Sequence, residues 1–272
     1  MKHRGIKMIG GQYDSNYGNF RTELYGEIRR EAFGEDIGQN SWLTADEQDR
    51  FLSWLGLAAG KALLDVACGA GGPALRMAAV TGCTVTGVDV HEQAIATACS
   101  LAPQRGLESR ADFCVVNADK QLPFLDSSFD AVTCIDAINH LPERPRVLTD
   151  WARLLKPGGR LLFTDPTVIT GPLTNAEIAG RSSSGFYLFV PLDYDERIIT
   201  QCGLQRVVCE DRTTNTAEIA ERRAKARESR SAGLRKIESD AAYENQQRFL
   251  SVAAQLAREG RLSRYVFVAE KA

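Results

Sequence analysis

From residue 62 onward, short apolar runs alternate with segments of helical periodicity. Each apolar run predicts a buried strand, and the segments between them predict helices. Short strands that alternate with helices are typical of a parallel sheet covered on both faces. The predicted strands are Leu63–Ala67, Thr84–Val88, Phe113–Asn117, Ala131–Ile135 and Arg160–Thr164, and the predicted helices start at Pro73 or span His91–Leu101 and Arg146–Leu155.

The first sixty residues show a different pattern and predict helices without strands. Apolar and aromatic residues recur at roughly helical spacing over 13–33. Thr44 is followed three residues later by Glu47, a spacing that predicts a capping box at the start of a further helix. We therefore expect residues 1–61 to form a helical N-terminal lid.

The alternation of strands and helices loosens after the fifth predicted strand. A helix is predicted over Asp193–Cys202, and strands over Gln205–Cys209 and Arg264–Ala269. About fifty residues of helical character, roughly 213–262, separate the last two strands. With no internal repeat and no low-complexity linker, residues 62–272 are expected to form one domain with a helical insertion.

Composition excludes several classes of partner. The chain has 272 residues, with 33 Lys and Arg against 35 Asp and Glu, for a net charge of −2. This balance argues against a general attraction to nucleic acid. No run of about 18 apolar residues predicts a membrane span. The segment 1–11 has basic residues but no apolar stretch behind them, which argues against a signal peptide. We expect a cytoplasmic protein.

Cysteine and histidine spacing gives no sign of a metal site. The seven cysteines include no C-x-x-C pair, and the three histidines are far apart. A zinc cluster, a redox dithiol or a His-rich centre is therefore not expected. No metal is predicted.

The glycine-rich stretch after the first predicted strand is the strongest chemical signal. Gly69 and Gly71 lie between that strand and a helix, where a ligand can approach the backbone closely. Asp89 ends the second strand, twenty residues after Gly69, and is placed to accept hydrogen bonds from ribose hydroxyls. These features suit any ligand that contains adenosine. The spacing Gly69-x-Gly71-x-x-Ala74 also satisfies a loose dinucleotide fingerprint, so a dinucleotide remains an alternative.

Two features favour S-adenosylmethionine over a dinucleotide. Asp65 is an acid inside the first strand, unwelcome beside a pyrophosphate but compatible with a cationic sulfonium and amino group. Downstream, Asn117-Ala118-Asp119, Leu122-Pro123-Phe124, Ser128-Phe129-Asp130 and Leu155-Lys156-Pro157-Gly158-Gly159 follow in order. This set, over about 62–165, resembles the class I S-adenosylmethionine-dependent methyltransferases.

The resemblance implies a Rossmann-like seven-stranded α/β sheet whose last strand is antiparallel. It also implies that backbone around the glycines lines the methionine part, that Asp89 holds the ribose beside Val90, and that Asp119 binds the adenine amino group with the Ala118 backbone. The implied cofactor-binding set is Asp65, Ala67, Gly69, Gly71, Asp89, Val90, Ala118, Asp119 and Ile135.

Candidate catalytic residues follow the fourth predicted strand. Asp136 and His140 are four residues apart and would share one face of a helical turn, so the carboxylate could orient the imidazole or attract an amine. The Asp-Ala-x-x-His-Leu spacing resembles the phosphoethanolamine methyltransferases, in which an N-terminal Tyr completes the set. Tyr13 or Tyr17 is expected in that place, with Tyr17 the choice. A His near this position is also common in quinone-type methyltransferases.

Three further segments are candidates for ligand contacts. The polar loop with Gln39, Ser41 and Trp42 is expected to close over the cofactor and the acceptor, with Trp42 against the sulfonium. Arg181 is a candidate for binding a carboxylate, with Phe186 or Tyr187 facing the substrate. The basic run Arg222, Arg223, Lys225, Arg227 and Arg230 predicts a solvated helix face rather than a nucleic-acid site.

The sequence therefore predicts methyl transfer from S-adenosylmethionine to nitrogen or oxygen of a small-molecule acceptor. Three alternatives remain open at this point: carbon or oxygen methylation of an aromatic or quinone-like acceptor, a non-catalytic cofactor-binding module, and an NAD-dependent enzyme. The expected partner is the small-molecule acceptor, without nucleic acid or membrane, in a monomer or homodimer.

Overall fold

The computed structural model describes residues 12–272, and its centre is a twisted eight-stranded sheet. Segment 1–11, on which the signal-peptide prediction depends, lies outside the described residues. The strands are β1 Ala62–Val66, β2 Thr84–Asp89, β3 Ala111–Val115, β4 Phe129–Cys134, β5 Leu155–Ile169, β6 Val190–Pro191, β7 Leu204–Asp211 and β8 Leu262–Lys271. The predicted bounds differ from these by a few residues at most, except for β5, which is much longer than predicted.

The strand order is β3-β2-β1-β4-β5-β8-β7, with β6 paired to β5 beside this path. β1 to β5 pair in parallel, whereas β8 runs antiparallel to both β5 and β7. The α/β class and the antiparallel last strand are confirmed. The two-residue β6 is the strand that makes eight instead of the seven predicted, and it is too short to give a sequence pattern.

Eleven helices surround the sheet within the described residues. They are α1 Gln12–Asn19, α2 Glu23–Phe33, α3 Ala45–Leu55, α4 Gly72–Thr81, α5 Glu92–Gln104, α6 Arg144–Leu154, α7 Asn175–Arg181, α8 Tyr194–Gln201, α9 Thr213–Glu228, α10 Ser231–Glu238 and α11 Asp240–Arg258. The continuous helix predicted over 13–33 is two helices, because Thr22 caps a new one through its side chain. The long helical stretch before β8 is three helices, and α7 was not predicted.

Four apolar clusters of the described residues hold these layers together, and the smallest joins Ile28, Ala226, Leu234 and Tyr243 of the helical segments. One packs Trp151 of α6 and Phe267 of β8 against one face of the sheet, and a second packs Leu75 of α4 and Phe51 of α3 against the other. The third lies apart from the sheet and joins α2, α9 and α11 with Trp42. Within residues 12–272, no helix is long and apolar enough to cross a bilayer.

A buried guanidinium on β8 connects the helical segments to the sheet. Arg264 is fully buried and donates from Nη1 to both carboxylate oxygens of Glu47 on α3, at 2.8 Å each. Its Nε donates to Asp136 Oδ1 at 2.6 Å, just beyond β4. Asp136 also accepts from the Trp42 backbone N at 2.9 Å and from Thr164 Oγ1 on β5 at 2.8 Å. We call Arg264, Glu47 and Asp136 the charge hub.

The charge hub bears on two predictions, the capping box of Thr44 and Glu47 and the pairing of Asp136 with His140. The Thr44 side chain accepts from Glu47 N at 3.2 Å, as a capping box requires, but the Glu47 carboxylate accepts from Arg264 and from Asn215 of α9. Asp136 adopts a left-handed backbone conformation, with φ of 55°. Three donors hold this strained backbone conformation. Asp136 therefore connects the sheet to the loop that contains Gln39, Ser41 and Trp42, which we call the lid loop.

Removal of the central cation should destabilise the whole protein. An Arg264→Met variant leaves two carboxylates buried without their counter-charge, so we expect the free energy of unfolding to fall by about 3–5 kcal/mol. Urea denaturation monitored by circular dichroism measures this. The control is Arg258→Met, which removes an exposed pair with Glu221 and should cost at most about 1 kcal/mol. Equal, small losses in both variants would contradict the role of the hub.

Candidate active site

A deep cleft opens where the parallel strands end, as expected for an open α/β sheet. It encloses about 1070 Å³ of open space, including the solvent at its mouth. The loop after β1, the residues after β2 and β3, and the segment after β4 form its walls. Helix α1 and the lid loop lie across it. Its lining includes Tyr13, Tyr17, Gly38, Asn40, Ser41, Asp65, Ala67, Cys68, Gly69, Ala70, Asp89, Val90, Val116, Asn117, Ala118, Ile135, Asp136 and His140.

The glycines after β1 have different tasks. Gly69 has a φ of 55° and lines the cleft, where a Cβ atom would lie 2.8 Å from the Tyr17 hydroxyl. Gly71 has a φ of 76°, and a Cβ there would lie 2.7 Å from Cβ of Ala98 on α5. Gly71 is thus required for helix packing and is not among the lining residues, contrary to the prediction for it. Close approach of a ligand is possible at Gly69.

Two carboxylates give the cleft a negative character. Asp65 is 4% exposed and accepts from Thr133 Oγ1 at 2.7 Å, and burial raises its pKa to about 7. Asp89 accepts from the backbone N of Gly69 and of His91, both at 2.9 Å. Burial also raises the pKa of Asp89, although the backbone donors oppose the effect. Each Asp89 oxygen keeps a lone pair with which it can accept a ribose hydroxyl.

The residues present fit S-adenosylmethionine. Asp89 would hold the ribose, and the apolar side chains of Val90, Val116 and Ile135 would flank the adenine, since all line the same cleft. Asp65 supplies the negative charge that suits an amino group near Gly69. No pocket for a pyrophosphate with cationic donors is present among the lining residues, which disfavours the dinucleotide alternative.

Besides Gly71, three predicted cofactor ligands fall outside this cleft or face another way. Asp119 contacts Arg146 of α6 through its carboxylate, at 3.3 Å, and does not line the cleft. The Gln39 amide is used locally, because Oε1 accepts from Ile37 N at 2.9 Å and Nε2 donates to Glu35 O. Trp42 lines a neighbouring chamber and stacks on Phe249 at 6.0 Å. Ser41 lines both spaces, and its neighbour Asn40, which the sequence analysis missed, lines them as well.

That neighbouring space, which we call the acceptor chamber, adjoins the cleft. It encloses about 460 Å³ of open space and shares Tyr13, Asn40, Ser41, Asp136 and His140 with the cleft. Its remaining walls come from helices α1, α7, α9 and α11, from the loops before α3 and after α7, from the turn after β4 and from β5. Its other lining residues are Asn16, Trp42, Asn139, Pro166, Arg181, Ser184, Tyr187, Arg223, Gln246 and Phe249.

A tyrosine and a histidine stand where the two spaces meet. His140 Nδ1 lies 2.8 Å from the Phe186 carbonyl oxygen, which can only accept, so Nδ1 carries the proton. His140 Nε2 then accepts from the Tyr13 hydroxyl at 3.0 Å. Burial raises the pKa of Tyr13 well above its usual range, which keeps it a donor. Burial lowers the pKa of His140 to about 4, and the charge of Arg181 adds to this.

No described hydrogen bond joins Tyr17 or Asp136, two of the three predicted catalytic residues, to His140. Tyr17 lies over Gly69 in the cleft, whereas Tyr13, one turn earlier, contacts the imidazole. Asp136 lines both spaces but is bonded to Arg264, Thr164 and Trp42. The helical turn expected between Asp136 and His140 does not form, since Ala137 intervenes before a single 3₁₀ turn, Ile138–His140.

The basic run on α9 is also corrected. Arg227 is 4% exposed and pairs with Glu238, and Arg223 lines the acceptor chamber, so neither lies on a solvated face. Arg222 does lie on such a face, in an exposed pair with Glu218. The spacing of Arg223 and Arg227, four residues apart, was the signal that both share one inward face of the helix.

Comparison with known proteins agrees with this site. The methyltransferase domain family matches residues 64–163. The 27-O-demethylrifamycin SV methyltransferase of Amycolatopsis mediterranei is 32% identical over 75% of this chain and 75% of its own length. The identity and coverage together are sufficient to show a shared family.

Solved structures extend the likeness to nearly the whole chain. The [4+2]-cyclase SpnF is 25% identical, with a TM-score of 0.76 over 96% of this chain and 95% of its own. A phosphoethanolamine N-methyltransferase of Haemonchus contortus, in complex with S-adenosylhomocysteine, has a TM-score of 0.79 at 23% identity, over 97% of this chain and 60% of its own. The second likeness shows the fold alone.

Asp89 and Asp119 should differ in their effect on cofactor affinity. Loss of the Asp89 carboxylate removes a charge-assisted hydrogen bond, so Asp89→Ala should weaken S-adenosylhomocysteine binding by about 1.5–3 kcal/mol. Asp119→Ala, whose carboxylate lies against Arg146, should leave binding nearly unchanged. Isothermal titration calorimetry measures both. Unchanged affinity in a folded Asp89→Ala protein, or equal losses in the two variants, would contradict the assignment.

Proposed function

This chain belongs to the class I S-adenosylmethionine-dependent methyltransferases, and we propose that it methylates a hydroxyl oxygen of a small-molecule acceptor. The observation that carries the proposal is the Tyr13–His140 contact of 3.0 Å at the junction of cleft and acceptor chamber. The Phe186 carbonyl fixes the proton on Nδ1, so Nε2 carries the basic lone pair, which accepts from the Tyr13 hydroxyl at the junction. A hydroxyl is a poor nucleophile until a base accepts its proton.

The charges in the acceptor chamber favour oxygen over an amine. An amine arrives largely protonated, so a site for it needs a carboxylate with spare capacity. Asp136, the carboxylate that lines the chamber, is already bonded to Arg264. Arg181 and Arg223 line the same chamber and would repel an ammonium. The nitrogen acceptor considered from the sequence therefore finds less support than a hydroxyl.

Catalysis combines positioning with proton removal. The bound cofactor supplies a methyl group on a positively charged sulfur, and its transfer to the acceptor oxygen leaves a neutral thioether. The His140 Nε2 atom accepts the hydroxyl proton as the oxygen attacks. The Tyr13 hydroxyl has one proton, which it donates to Nε2 in the free protein; when the acceptor hydroxyl donates to Nε2 in its place, Tyr13 can donate to the acceptor oxygen. Trp42, Tyr187 and Phe249 exclude water around the reacting atoms.

The helical segments supply the cover for this chemistry. Tyr13 and Asn16 come from α1, Arg223 from α9, and Gln246 and Phe249 from α11. We therefore regard the helices before β1 and those between β7 and β8 as lids of one domain over residues 62–272. The relative that methylates a demethylrifamycin, by its name an O-methyltransferase, supports a hydroxyl acceptor.

An aromatic acceptor is the second candidate, for oxygen or carbon methylation. The rings of Trp42 and Phe249 stack at 6.0 Å, and Tyr187 lies 6.4 Å from Phe249. Rings of this kind pack well against a planar acceptor. The likeness to a cyclase shows that fold alone does not fix the reaction. Carbon methylation of an enol or phenol also releases a proton, so the Tyr13–His140 contact would serve either reaction. The name of the demethylrifamycin relative is what favours oxygen over carbon.

Loss of the imidazole should slow the reaction without affecting the cofactor. His140→Ala should lower kcat by about 10²–10⁴-fold, the usual effect of a lost general base. Tyr13→Phe should have a smaller effect, because it removes a partner of the base and leaves the base itself. Mass-spectrometric assay of methylated hydroxyl acceptors, with calorimetry of S-adenosylhomocysteine binding as the folding control, measures both. Near-normal kcat in His140→Ala would overturn the role of His140.

The lowered pKa of His140 gives a second test of its proposed role as the base. Its pKa of about 4 lies below the ordinary 6.5, because burial disfavours the charged form. A base must be neutral to accept a proton, so kcat/KM for the acceptor should stay level as pH falls from about 8 to about 5, and drop only near the lowered pKa. The cofactor is kept saturating, since Asp65 titrates near neutral pH. An acid limb centred at 6.5 in the folded protein would contradict this environment for His140.

A further inference from the structure

Arg181 is a buried cation without a counter-charge. It ends α7, is 2% exposed, and donates from Nη2 to the Pro166 carbonyl at 3.3 Å. Its Nη1 has no hydrogen-bond partner among the described residues, and no carboxylate in residues 12–272 forms an ion pair with it. Its Cζ lies 4.8 Å from the Phe249 ring centroid and 5.2 Å from that of Tyr187. Both rings line the acceptor chamber, so the guanidinium belongs to its wall.

Arg223 is a second cation without a counter-charge, and it is half-buried. Its Cζ lies 5.5 Å from the Trp42 ring and 5.9 Å from the Phe33 ring, and no hydrogen bond or ion pair to it is present in the described part of the chain. Burial lowers its pKa to about 10, and the neighbouring Arg227 adds to the effect. Arg223 lines the acceptor chamber and also the chamber beside it.

The other buried arginines among residues 12–272 are paired with acids. Arg144 contacts Asp165 and Asp195 at 2.6 and 2.7 Å, Arg227 contacts Glu238 at 2.7 Å, and the half-buried Arg29 contacts Asp36 at 2.8 Å. This is the usual state, because a charge taken out of water is costly unless it is paired. The two exceptions, Arg181 and Arg223, meet in one chamber. The missing counter-charge is therefore expected from the ligand that enters it.

We propose that Arg181 and Arg223 bind an oxyanion group of the methyl acceptor, so that the substrate class is a hydroxylated small-molecule acid. This rests on the proposed function, since it assigns the acceptor of that same site. The guanidinium fork matches the two oxygens of a carboxylate or phosphate, and pairing with them is strong where water is excluded. A carboxylate and a phosphate present the same chemistry here, and the experiment separates them.

Tyr187 sets the distance between the anion and the reacting oxygen. Its ring centroid lies 4.5 Å from that of His140 and 5.2 Å from the Arg181 guanidinium carbon. One ring of the acceptor can therefore carry both groups, a hydroxyl toward His140 and an oxyanion toward Arg181. A small adjoining chamber shares Arg223 and Gln246 with this site and is lined in part by Phe20 and Ile28.

Matched ligands test this without knowledge of the natural acceptor. The protein saturated with S-adenosylhomocysteine is titrated by calorimetry with 3-hydroxybenzoate, 3-hydroxyphenyl phosphate and the neutral 3-hydroxybenzamide. At least one anion should bind about tenfold or more tightly than the amide, the effect of one charge-assisted hydrogen bond. The stronger of the two identifies the oxyanion. Amide binding equal to or tighter than that of both anions, or no binding of either anion, overturns the proposal.

Three variants test whether the preference for the anion over the amide depends on Arg181 and Arg223. Arg181→Met and Arg223→Met should each reduce the preference for the anion over the amide to less than about threefold. Arg222→Met, an exposed neighbour on the same helix, should keep the full preference. If Arg181→Met does not fold, Arg223→Met alone decides. An unchanged preference for the anion in the folded variants overturns the proposal. Weakened S-adenosylhomocysteine binding with a normal preference for the anion also overturns it, because the guanidinium would then bind the cofactor.

The same variants separate this inference from the proposed function. If hydroxyl acceptors are methylated in a His140-dependent manner but anions have no advantage, only the oxyanion assignment fails. If anions bind through Arg181 and Arg223 but methylation of oxygen does not depend on His140, the proposed function fails and the anion site stands.

Discussion

The buried guanidinium of Arg264 determines the geometry on which the site depends. It neutralises Glu47 from the N-terminal helices and Asp136 at the end of β4, and Asp136 in turn holds the backbone of Trp42. Charges in such a place are costly to bury and are tolerated only when their geometry is good. The pairs therefore fix the lid loop to the sheet in one position. The junction of cleft and acceptor chamber, where His140 stands, is built on that position.

The remaining buried charges are divided between the two spaces. Asp65 and Asp89 give the cofactor cleft a negative character, and burial raises the pKa of both. Arg181 and Arg223 give the acceptor chamber a positive one. A cofactor with a cationic sulfur suits the first space, and an acceptor with an oxyanion suits the second. His140 lies between them, and burial beside a cation lowers its pKa. The buried charges of the two spaces are therefore both paired with opposite charges only when the cofactor and the acceptor are bound.

Local sequence patterns predicted the sheet, the Gly69 loop and Asp89, because strand periodicity and a glycine turn depend on neighbouring residues. The same patterns misplaced Asp136, because its partner Arg264 is 128 residues away and no spacing records such a contact. They also favoured Tyr17 over Tyr13, since the choice between two tyrosines one turn apart depends on how α1 packs on the sheet. The spacing of Arg223 and Arg227 indicates a shared face of α9, but the sequence does not show that this face points inward, because the chamber is formed by other helices.

A crystal structure with S-adenosylhomocysteine tests the central claim most directly, namely that methyl transfer takes place at the Tyr13–His140 contact. The account predicts that the cofactor sulfur lies at the junction of the two spaces and faces His140 Nε2 across the opening of the acceptor chamber, with Asp136 still bonded to Arg264. A sulfur directed away from the acceptor chamber, or a His140 side chain turned out of the junction and bonded elsewhere, would contradict the account.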